Sequence, residues 1–203
     1  MDTNFNHEQS LALINEMINR ARNNVKHEGA YSLIFWGYVT AALAIINSVL
    51  LNTLNQPQQS NWVWSLMIPA FVVSFFMQRR IDRKRLVKTH IDKIAGNVWG
   101  GFLISYVVFE MVIFSTAFRF DTQVIFMLNI PVIMIMVGLG QFISACIYRH
   151  KMWYAFAALT WTGAVVCVFL PLYLQFIDFA TCMILGFAVP GHILIHQAKK
   201  SHV

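Results

Sequence analysis

Long apolar stretches alternate with short polar segments along most of the chain. Each stretch is far longer than a strand of a soluble protein and lacks a period-two alternation of apolar and polar residues, which disfavours a β-barrel. A helix needs about 20 apolar residues to cross the roughly 30 Å hydrocarbon core of a bilayer. Six stretches meet this requirement, near residues 31–53, 62–78, 97–118, 123–147, 152–171 and 177–196. The pattern predicts an all-α, polytopic membrane protein whose six transmembrane helices make up one domain, residues 31–196.

The composition agrees with lipid as the surrounding solvent. Hydrophobic residues make up 58% of the chain and charged residues only 12%, whereas a soluble domain carries about 25% charged residues. Residues 1–30 are polar and contain no short apolar segment followed by a small-residue cleavage site, so we expect no cleaved signal peptide. The three cysteines, Cys146, Cys167 and Cys182, form no C-x-x-C pair and are expected to be ordinary interior residues.

The distribution of basic residues predicts the orientation. Fourteen of the fifteen Lys and Arg residues fall before the first helix, between the second and third, between the fourth and fifth, or after the sixth. The opposite loops, residues 55–61, 119–122 and 172–176, contain only Arg119. Because Lys and Arg in short loops are retained in the cytoplasm, we predict that both termini, including the 197–203 tail, are cytoplasmic and that the protein lies in a bacterial inner membrane. The net charge of +6 then has a topological explanation, and nucleic acid is not expected as a partner.

Residues 1–30 are predicted to form a cytoplasmic amphipathic helix. Five apolar residues spaced three and four apart form a seam on one face, which consists of Leu11, Ile14, Ile18, Ala21 and Val25. Another face carries Asn15, Asn19 and Asn23. Such a seam can lie in the headgroup layer, pack on the protein itself, or pair with a helix of a partner.

A second cytoplasmic segment, residues 78–94, is strongly basic. Basic side chains next to a bilayer attract anionic headgroups, at about 1 kcal/mol per Lys or Arg near the surface. A cytoplasmic protein or a nucleotide can use the same charge. We therefore assign contacts with anionic lipid or a partner to Arg79, Arg80, Arg83, Lys84, Arg85 and Lys88.

The six predicted helices show signs of three successive hairpins. Trp36, Trp99 and Trp153 each stand near the cytoplasmic start of an odd-numbered helix. The even-numbered helices carry sequences that predict irregularities, namely Ile68-Pro69, Ile130-Pro131 and Leu185-Gly186. These features suggest a threefold repeat of one design. The alternative is that Trp collects at membrane interfaces and that Pro and Gly are tolerated in membrane helices of any protein.

Polar residues inside the apolar stretches are the candidates for function. Glu110 lies about 13 residues, or ~20 Å, from the cytoplasmic end of the third helix, and an ionisable residue at that depth is a functional hypothesis by default. Asn129 and Thr181 lie at comparable depth and are the expected hydrogen-bond partners. The alternatives are proton, ion or substrate handling and a protonated Glu110 that only fixes helix packing. Gln141, in the fourth helix, is a further candidate.

Two other groups have weaker claims to a site. Asp178 is expected at the outer boundary, as a solvated cap. His192 and His196 are spaced i, i+4 and can share a metal ion if a third ligand approaches, such as His150, His90 or Cys146. No Glu accompanies them as in H-E-x-x-H, and simple solvation is the alternative.

No catalytic signature is present. The sequence lacks G-x-S-x-G, H-E-x-x-H, the Walker A motif and G-x-G-x-x-G. Enzyme activity is therefore the function class with the least support, and no cofactor is expected.

The start of the chain resembles a known group of proteins. In the runs SLALINEMINRARNNV and IFWGYVTAALAIIN, the chain is similar to uncharacterised small multi-pass bacterial inner-membrane proteins. The resemblance covers about the first fifty residues and implies a location but no activity, ligand or site residue.

Two functions follow from these observations. The first is a membrane-embedded binding partner or regulator of a cytoplasmic protein, because both charged segments are predicted inside and almost no polypeptide is predicted outside. The second is a small transporter or channel, as a homo-oligomer, for an ion or a lipid-like or apolar solute that passes Glu110. The few buried polar residues fit a hydrophilic route poorly.

Overall fold

A computed structural model describes residues 7–54, 60–84, 90–122, 124–148 and 151–200, with side chains from Gly29 onward except at some helix ends. In this part the chain is all-helical and contains no strand. The elements are α1 (His7–Leu54), a 3₁₀ segment (Asn61–Leu66) leading into α2 (Met67–Lys84), α3 (His90–Phe120), a 3₁₀ segment (Val124–Leu128) leading into α4 (Asn129–Tyr148), α5 (Lys151–Cys167), α6 (Leu172–Met183), a π turn (Ile184–Ala188) and α7 (Val189–Lys200).

Five helices in the described residues are long and apolar enough to cross a membrane. They are Gly29–Thr53, Asn61–Ile81, Lys93–Phe120, Val124–Tyr148 and Leu172–Gln197. The chain therefore has the make-up of a multi-pass membrane protein. The predicted stretch at 152–171 corresponds to α5, which is not among these five; its 17 residues lie at the lower limit of the roughly 17–25 residues of a membrane crossing.

Proline 171 explains why α5 is short. Proline disfavours helical conformation in the residue before it and lacks the N–H that a helix interior needs. The structure accordingly ends α5 at Cys167 and starts α6 at Leu172, with Pro171 in an extended conformation as its N-cap. The turn therefore lies at residues 168–171, earlier than the loop predicted at 172–176, and Gln175 and Phe176 are buried helical residues.

Of the three predicted irregularities, one lies at the predicted residues, and the other two pairs, Ile68-Pro69 and Ile130-Pro131, lie in the first turn of an α-helix that follows a 3₁₀ segment. The 3₁₀ segments stop just before Pro69 and Pro131, which are each the third residue of an α-helix. Proline is tolerated in the first turn of a helix, because the N–H it lacks has no intrahelical partner there. The third irregularity is the π turn, which contains Leu185 and Gly186.

Proline also accounts for the π turn. In a regular α-helix the N–H of residue 190 would donate to the carbonyl of Gly186, but residue 190 is a proline and has no N–H. The helix widens instead, and the N–H of Val189 donates to the carbonyl of Ile184, five residues earlier. The carbonyl of Gly186 is thereby left without its α-helical donor.

The core lies where α1, α4, α5 and α6 meet. Its buried apolar residues include Ala41, Ala44, Met134, Val137, Ala164, Cys167, Phe179, Ala180, Met183 and Phe187. Helix α1 runs antiparallel to α6 and α7, because Ser48 contacts Tyr173 at one end and Tyr38 contacts His192 at the other. We call the end of the bundle at which α1 terminates, Leu54, the distal end.

Helices α2 and α3 lie at the periphery. No described side chain of α2 is buried, and Ile113 is the one large buried side chain in the described part of α3. Their outward faces are apolar, with Phe76 63% exposed and Phe118 92% exposed. Hydrocarbon chains of lipid are as apolar as these side chains, so the faces suit a lipid environment and would be unfavourable in water.

Two pairs of small residues are spaced so that helices could pack closely on them, Gly37 with Ala41 and Gly96 with Gly100. A Cβ on Gly37 would come within 2.7 Å of the backbone nitrogen of Ala188, and Ala41 is buried, so this pair brings α1 against the π turn. In contrast, Gly96 and Gly100 have nothing within 4 Å of an added Cβ. The first pair packs within the bundle and the second is uncovered.

This difference gives a stability test. Gly37→Ala should destabilise the protein by about 1–3 kcal/mol, the usual cost of overpacking, because the Ala188 backbone cannot move aside without shifting the π turn. Thermal unfolding in mild detergent would show it as a lower midpoint.

Gly100→Ala is the matched control. Alanine has a higher helix propensity than glycine by about 1 kcal/mol and meets open space here, so the midpoint should stay or rise. Equal destabilisation by both variants would contradict the packing of α1 on the π turn.

Candidate functional site

A buried hydrogen-bond network joins α4, α5 and the π turn. Gln141 Nε2 donates to the carbonyl of Gly186 at 3.2 Å, and Thr160 Oγ1 donates to Gln141 Oε1 at 2.9 Å. Both side chains are 0% exposed. A Cβ on Gly186 would come within 2.5 Å of Gln141 Nε2, so glycine is needed for the amide to approach.

This network replaces the hydrogen bond that Pro190 removes. In an apolar interior an unsatisfied carbonyl is costly, and non-helical backbone at membrane depth requires partners from elsewhere in the protein. The Gln141 amide supplies that partner to Gly186, and Thr160 in turn orients the amide. Since the side-chain oxygen and nitrogen atoms of Gln141 and Thr160 all have partners, these bonds give Gln141 a structural role.

A second polar group lies between α3 and α4. Asn129, the first residue of α4, donates from Nδ2 to Glu110 Oε2 at 3.4 Å. The Tyr106 side chain, one turn before Glu110 on α3, is also hydrogen-bonded to Glu110. All three residues are half-buried. Asn129 Oδ1 is inaccessible to solvent and has no hydrogen-bond partner, so this group contains an acceptor that the structure does not satisfy.

Thr181 does not take part in this group. Its Oγ1 donates to the carbonyl of Ile177 in its own helix, and the residue is exposed. Depth along the sequence placed Thr181 near the level of Glu110, but depth does not specify which way a side chain faces. Of the two expected partners, Asn129 hydrogen-bonds to Glu110 and Thr181 bonds to its own backbone.

Asp178 lies within α6 and is not a solvated cap. Because Pro171 caps α6, Asp178 falls in its second turn, where its side chain faces Gly163 of α5. Asp178 Oδ2 is inaccessible to solvent and unpartnered. The expectation of a capping role is therefore wrong, because α6 starts five residues before the predicted helix.

Amide side chains also hold the distal end of the bundle. Asn47 Nδ2 donates to Asn61 Oδ1 at 3.3 Å, and Gln175 Nε2 donates to the carbonyl of Leu170 at 3.1 Å. Asn47 and Gln175 are 0% and 3% exposed, and each has a carbonyl oxygen without a partner. The first bond connects α1 with the start of the second membrane span, and the second connects α6 with the turn that precedes α6.

His192 is paired with a tyrosine and not with further metal ligands. His192 Nε2 and the Tyr38 hydroxyl lie 3.1 Å apart, and His196 is exposed. No group of three His, Cys, Asp or Glu suited to a metal ion occurs among the described residues. The side chain of His90 and all of His150 lie outside them, so these two proposed ligands stay a prediction.

The basic segment is described in part. Arg79, Arg80 and Arg83 are exposed, and the guanidinium of Arg79 lies 4.3 Å from the centre of the Phe75 ring. The side chain of Lys84 and the whole of Arg85 and Lys88 lie outside the described residues. The exposed arginines are available to lipid headgroups or a partner at the end of α2.

Several of these residues were not singled out from the sequence. Thr160 resembles any threonine of a membrane helix, since its hydroxyl also bonds its own backbone at Phe156. Tyr106 precedes Glu110 by four residues, and this spacing alone could have identified it as a neighbour on the same face. Asn47 is an amide within an apolar stretch, which is a signal for interhelical hydrogen bonding.

The chain matches no protein-family model, no curated protein and no solved structure.

The network around Gln141 can be tested with two threonines of the same helix. Thr160→Val removes the donor to the buried Gln141 Oε1 and should lower the free energy of unfolding by about 1–2 kcal/mol. The measurement is denaturant-induced unfolding in mixed micelles.

Thr162→Val is the matched control, because Thr162 is exposed and bonds only the carbonyl of Ala158 in its own helix. It should change stability by a few tenths of a kcal/mol at most, as surface substitutions usually do. A Thr160→Val effect no larger than that of the control would remove the structural role assigned to the network.

Proposed function

We propose that this protein is a multi-pass membrane protein with six transmembrane helices that binds a cytoplasmic protein through the N-terminal part of α1. The length of α1 is the observation that carries the proposal. Its 48 residues correspond to about 72 Å, more than twice the ~30 Å hydrocarbon core. Since the apolar span starts at Gly29, residues 7–28 extend beyond it.

The sequence of α1 contains nothing that would bend it at the membrane boundary. Sharp kinks occur at proline, at Gly/Ser pairs or at π-bulges, whereas α1 has no proline and its two glycines, Gly29 and Gly37, are isolated. A helix that continues along its axis carries the seam from Leu11 to Val25 away from the headgroup layer. A seam held off the membrane favours a partner helix over the lipid surface.

The packing of α4 and α6 supports a sixth crossing by α5. Met134 and Cys182 both approach Gly163, and Gln141 bonds Gly186 further along, so α4 and the α6–α7 helix run in the same direction. Because α4 and the α6–α7 helix cross the membrane in the same direction, the chain must cross it once in the opposite direction between them. Helix α5 provides it, since its 17 residues reach about 26 Å and apolar residues 168–170 follow.

The distribution of charge supports the orientation that the proposal needs. With six crossings, both termini lie on one side, and this is the side that carries fourteen of the fifteen Lys and Arg residues. By the positive-inside rule this side is the cytoplasm, and the membrane is the bacterial inner membrane. The N-terminal part of α1 and the end of α2 are then both offered to cytoplasmic proteins.

A small transporter or channel is the second candidate function. It is favoured by Glu110, which is held at membrane depth beside Asn129. A hydrophilic route needs a row of polar groups across the membrane, however. Between α3 and α4 the described residues supply Glu110 with Asn129 and Tyr106, which is too few for such a row. The binding function therefore remains the better supported of the two.

The six-crossing topology predicts where single cysteines can be labelled. In a background without the native cysteines, Phe169→Cys should react with a membrane-impermeant thiol reagent in intact cells, because Phe169 is 83% exposed and lies in the turn after α5. Gln197→Cys is also exposed and should react only after the membrane is permeabilised. Labelling of both from the same side would contradict the crossing by α5.

The binding proposal predicts loss of a partner when the apolar seam is changed. Leu11→Glu with Ile18→Glu should abolish the stoichiometric co-purification of a cytoplasmic protein in mild detergent, because the charges interrupt the face that packs on the partner. Mass spectrometry of the purified complex gives the stoichiometry.

Asn15→Ala with Asn19→Ala is the matched control, since these residues lie on another face of the same helix and their replacement should leave the partner bound. Deletion of residues 1–27 should act like the seam variant. If the deletion leaves every co-purifying protein in place, the binding proposal is wrong.

A further inference from the structure

The carboxyl group of Glu110 and the amide of Asn129 face each other between α3 and α4. Glu110 lies on the inward face of α3, near the buried Ile113. Asn129 Nδ2 donates to one carboxyl oxygen of Glu110 at 3.4 Å. The amide oxygen of Asn129, Oδ1, is buried and accepts no hydrogen bond. One half of this pair is hydrogen-bonded and the other half lacks a donor.

The missing donor has a defined chemistry. The oxygen and nitrogen of a primary amide lie side by side, as do the two oxygens of a carboxyl group. An ionised carboxylate is acceptor-only, so it can receive the Nδ2–H bond but can give nothing to Oδ1. A protonated carboxyl group carries one O–H donor. It can accept from Nδ2 with one oxygen and donate to Oδ1 with the other, which closes a ring of two hydrogen bonds.

We propose that Glu110 and Asn129 form an intramembrane proton-binding site, in which the Glu110 carboxylate takes up one proton and donates it in a hydrogen bond to Asn129 Oδ1. The step forms one O–H bond on the carboxyl group and breaks no covalent bond of the protein. Release of the proton restores the carboxylate and leaves Oδ1 unpartnered. This site is independent of the cytoplasmic partner proposed for α1.

The number of oxygen atoms favours a proton over a metal ion. Among the described residues, the carboxyl group of Glu110, the amide of Asn129 and the hydroxyl of Tyr106 supply the oxygens at this position. Hard cations such as Ca²⁺ take six to eight oxygen ligands, and Mg²⁺ requires an octahedral set. A proton needs only one donor and one acceptor, and the unpartnered Oδ1 is that acceptor.

The surroundings of Glu110 contain few other groups that titrate. The elements packed against α3 here are the 3₁₀ segment Val124–Leu128 and the start of α4. Residues 124–145 include no Asp, Glu, His, Lys, Arg, Cys or Tyr. On α3 itself Tyr106 contacts the carboxyl group, and Arg119 and Asp121 lie nine and eleven residues further along. Glu110 therefore has no countercharge next to it among the described residues.

Infrared spectroscopy of the protein in lipid nanodiscs tests the site. The four glutamates of the chain are Glu8, Glu16, Glu28 and Glu110, so the triple variant Glu8→Gln, Glu16→Gln, Glu28→Gln leaves Glu110 as the sole glutamate. Labelling its carboxyl carbon with ¹³C separates its band from those of the aspartates. We expect the C=O band of a protonated carboxyl group, which is lost reversibly as the pH is raised.

The role of Asn129 is tested in the same background. Asn129→Leu removes the acceptor, so the C=O band of the protonated Glu110 should move to the higher frequency of a carboxyl group without that hydrogen bond. Asp178→Asn, which changes another carboxyl group in a membrane helix, should leave the band unchanged.

Three results would overturn the proposal. The first is a labelled carboxyl group that remains ionised throughout the pH range in which the protein is folded. The second is an Asn129→Leu spectrum identical to that of the parent. The third is loss of the protonated band when Na⁺ is added at constant pH, which would make a metal ion the occupant. Because Glu110 itself is intact in every sample, failure of a Glu110 variant to fold cannot obscure the outcome.

Discussion

The hydrogen bond from Gln141 to the carbonyl of Gly186 is the interaction around which the bundle is arranged. Pro190 deprives that carbonyl of its helical donor, and in lipid no water is present to replace it. The donor must come from another helix, so α4 has to lie against the π turn. Gly186 makes the approach possible because a side chain there would meet the Gln141 amide.

The other helices contact the same turn. Gly37 brings α1 against Ala188, and the ring of Trp99 from α3 lies 5.6 Å from that of Phe187. Thr160 of α5 holds the Gln141 amide. One irregular turn of five residues is therefore contacted by four helices. A regular helix would not have the free carbonyl to which Gln141 donates. The small residues Gly37 and Gly186 allow the close approaches.

The polar groups within the bundle divide into two kinds. Around Gln141 each side-chain oxygen and nitrogen atom has a partner, which stabilises one arrangement of the helices. At Asn47, Asn129, Gln175 and Asp178 a buried oxygen lacks a partner. Because unsatisfied buried polar atoms are rare and costly in native proteins, such atoms indicate where a proton, water or ion belongs. Asn129 is the better candidate for a proton site than Asp178, because its amide already bonds an ionisable group, Glu110.

Much of the fold can be predicted from the sequence, because apolar length and the positions of proline are local properties. Five of the six apolar stretches are membrane-length helices, and the irregularity predicted at Leu185-Gly186 is the π turn. The ends of α5 and α6 were misplaced, because apolar residues continue through the turn and only Pro171 interrupts the helix. The pairing of Glu110 with Asn129 could be predicted from their similar depth in the membrane, because they lie on two helices that one short turn connects.

The roles of Gln141 and Thr160 could not be predicted in the same way. Their pairing with Gly186 depends on the rotation of three helices about their axes, and hydrophobicity in lipid does not specify rotation, since every outward face can be apolar. The seam of α1 illustrates the converse case. Its periodicity can be read from the sequence, but the observation that favours a partner is the continuity of the helix through residues 7–54.

The proton site and the N-terminal part of α1 lie on different parts of the bundle. A proton at Glu110 alters how α3 is held to α4, and α3 has few buried side chains that would resist a small displacement. The physical route from α3 to α1 passes through Trp99, Phe187 and the π turn. Four helices pack on that turn and the carbonyl of Gly186 is bonded to Gln141, which opposes its displacement, and a contiguous route is not by itself a coupling. The two proposals, a proton site at Glu110 and a partner site on α1, therefore do not depend on each other.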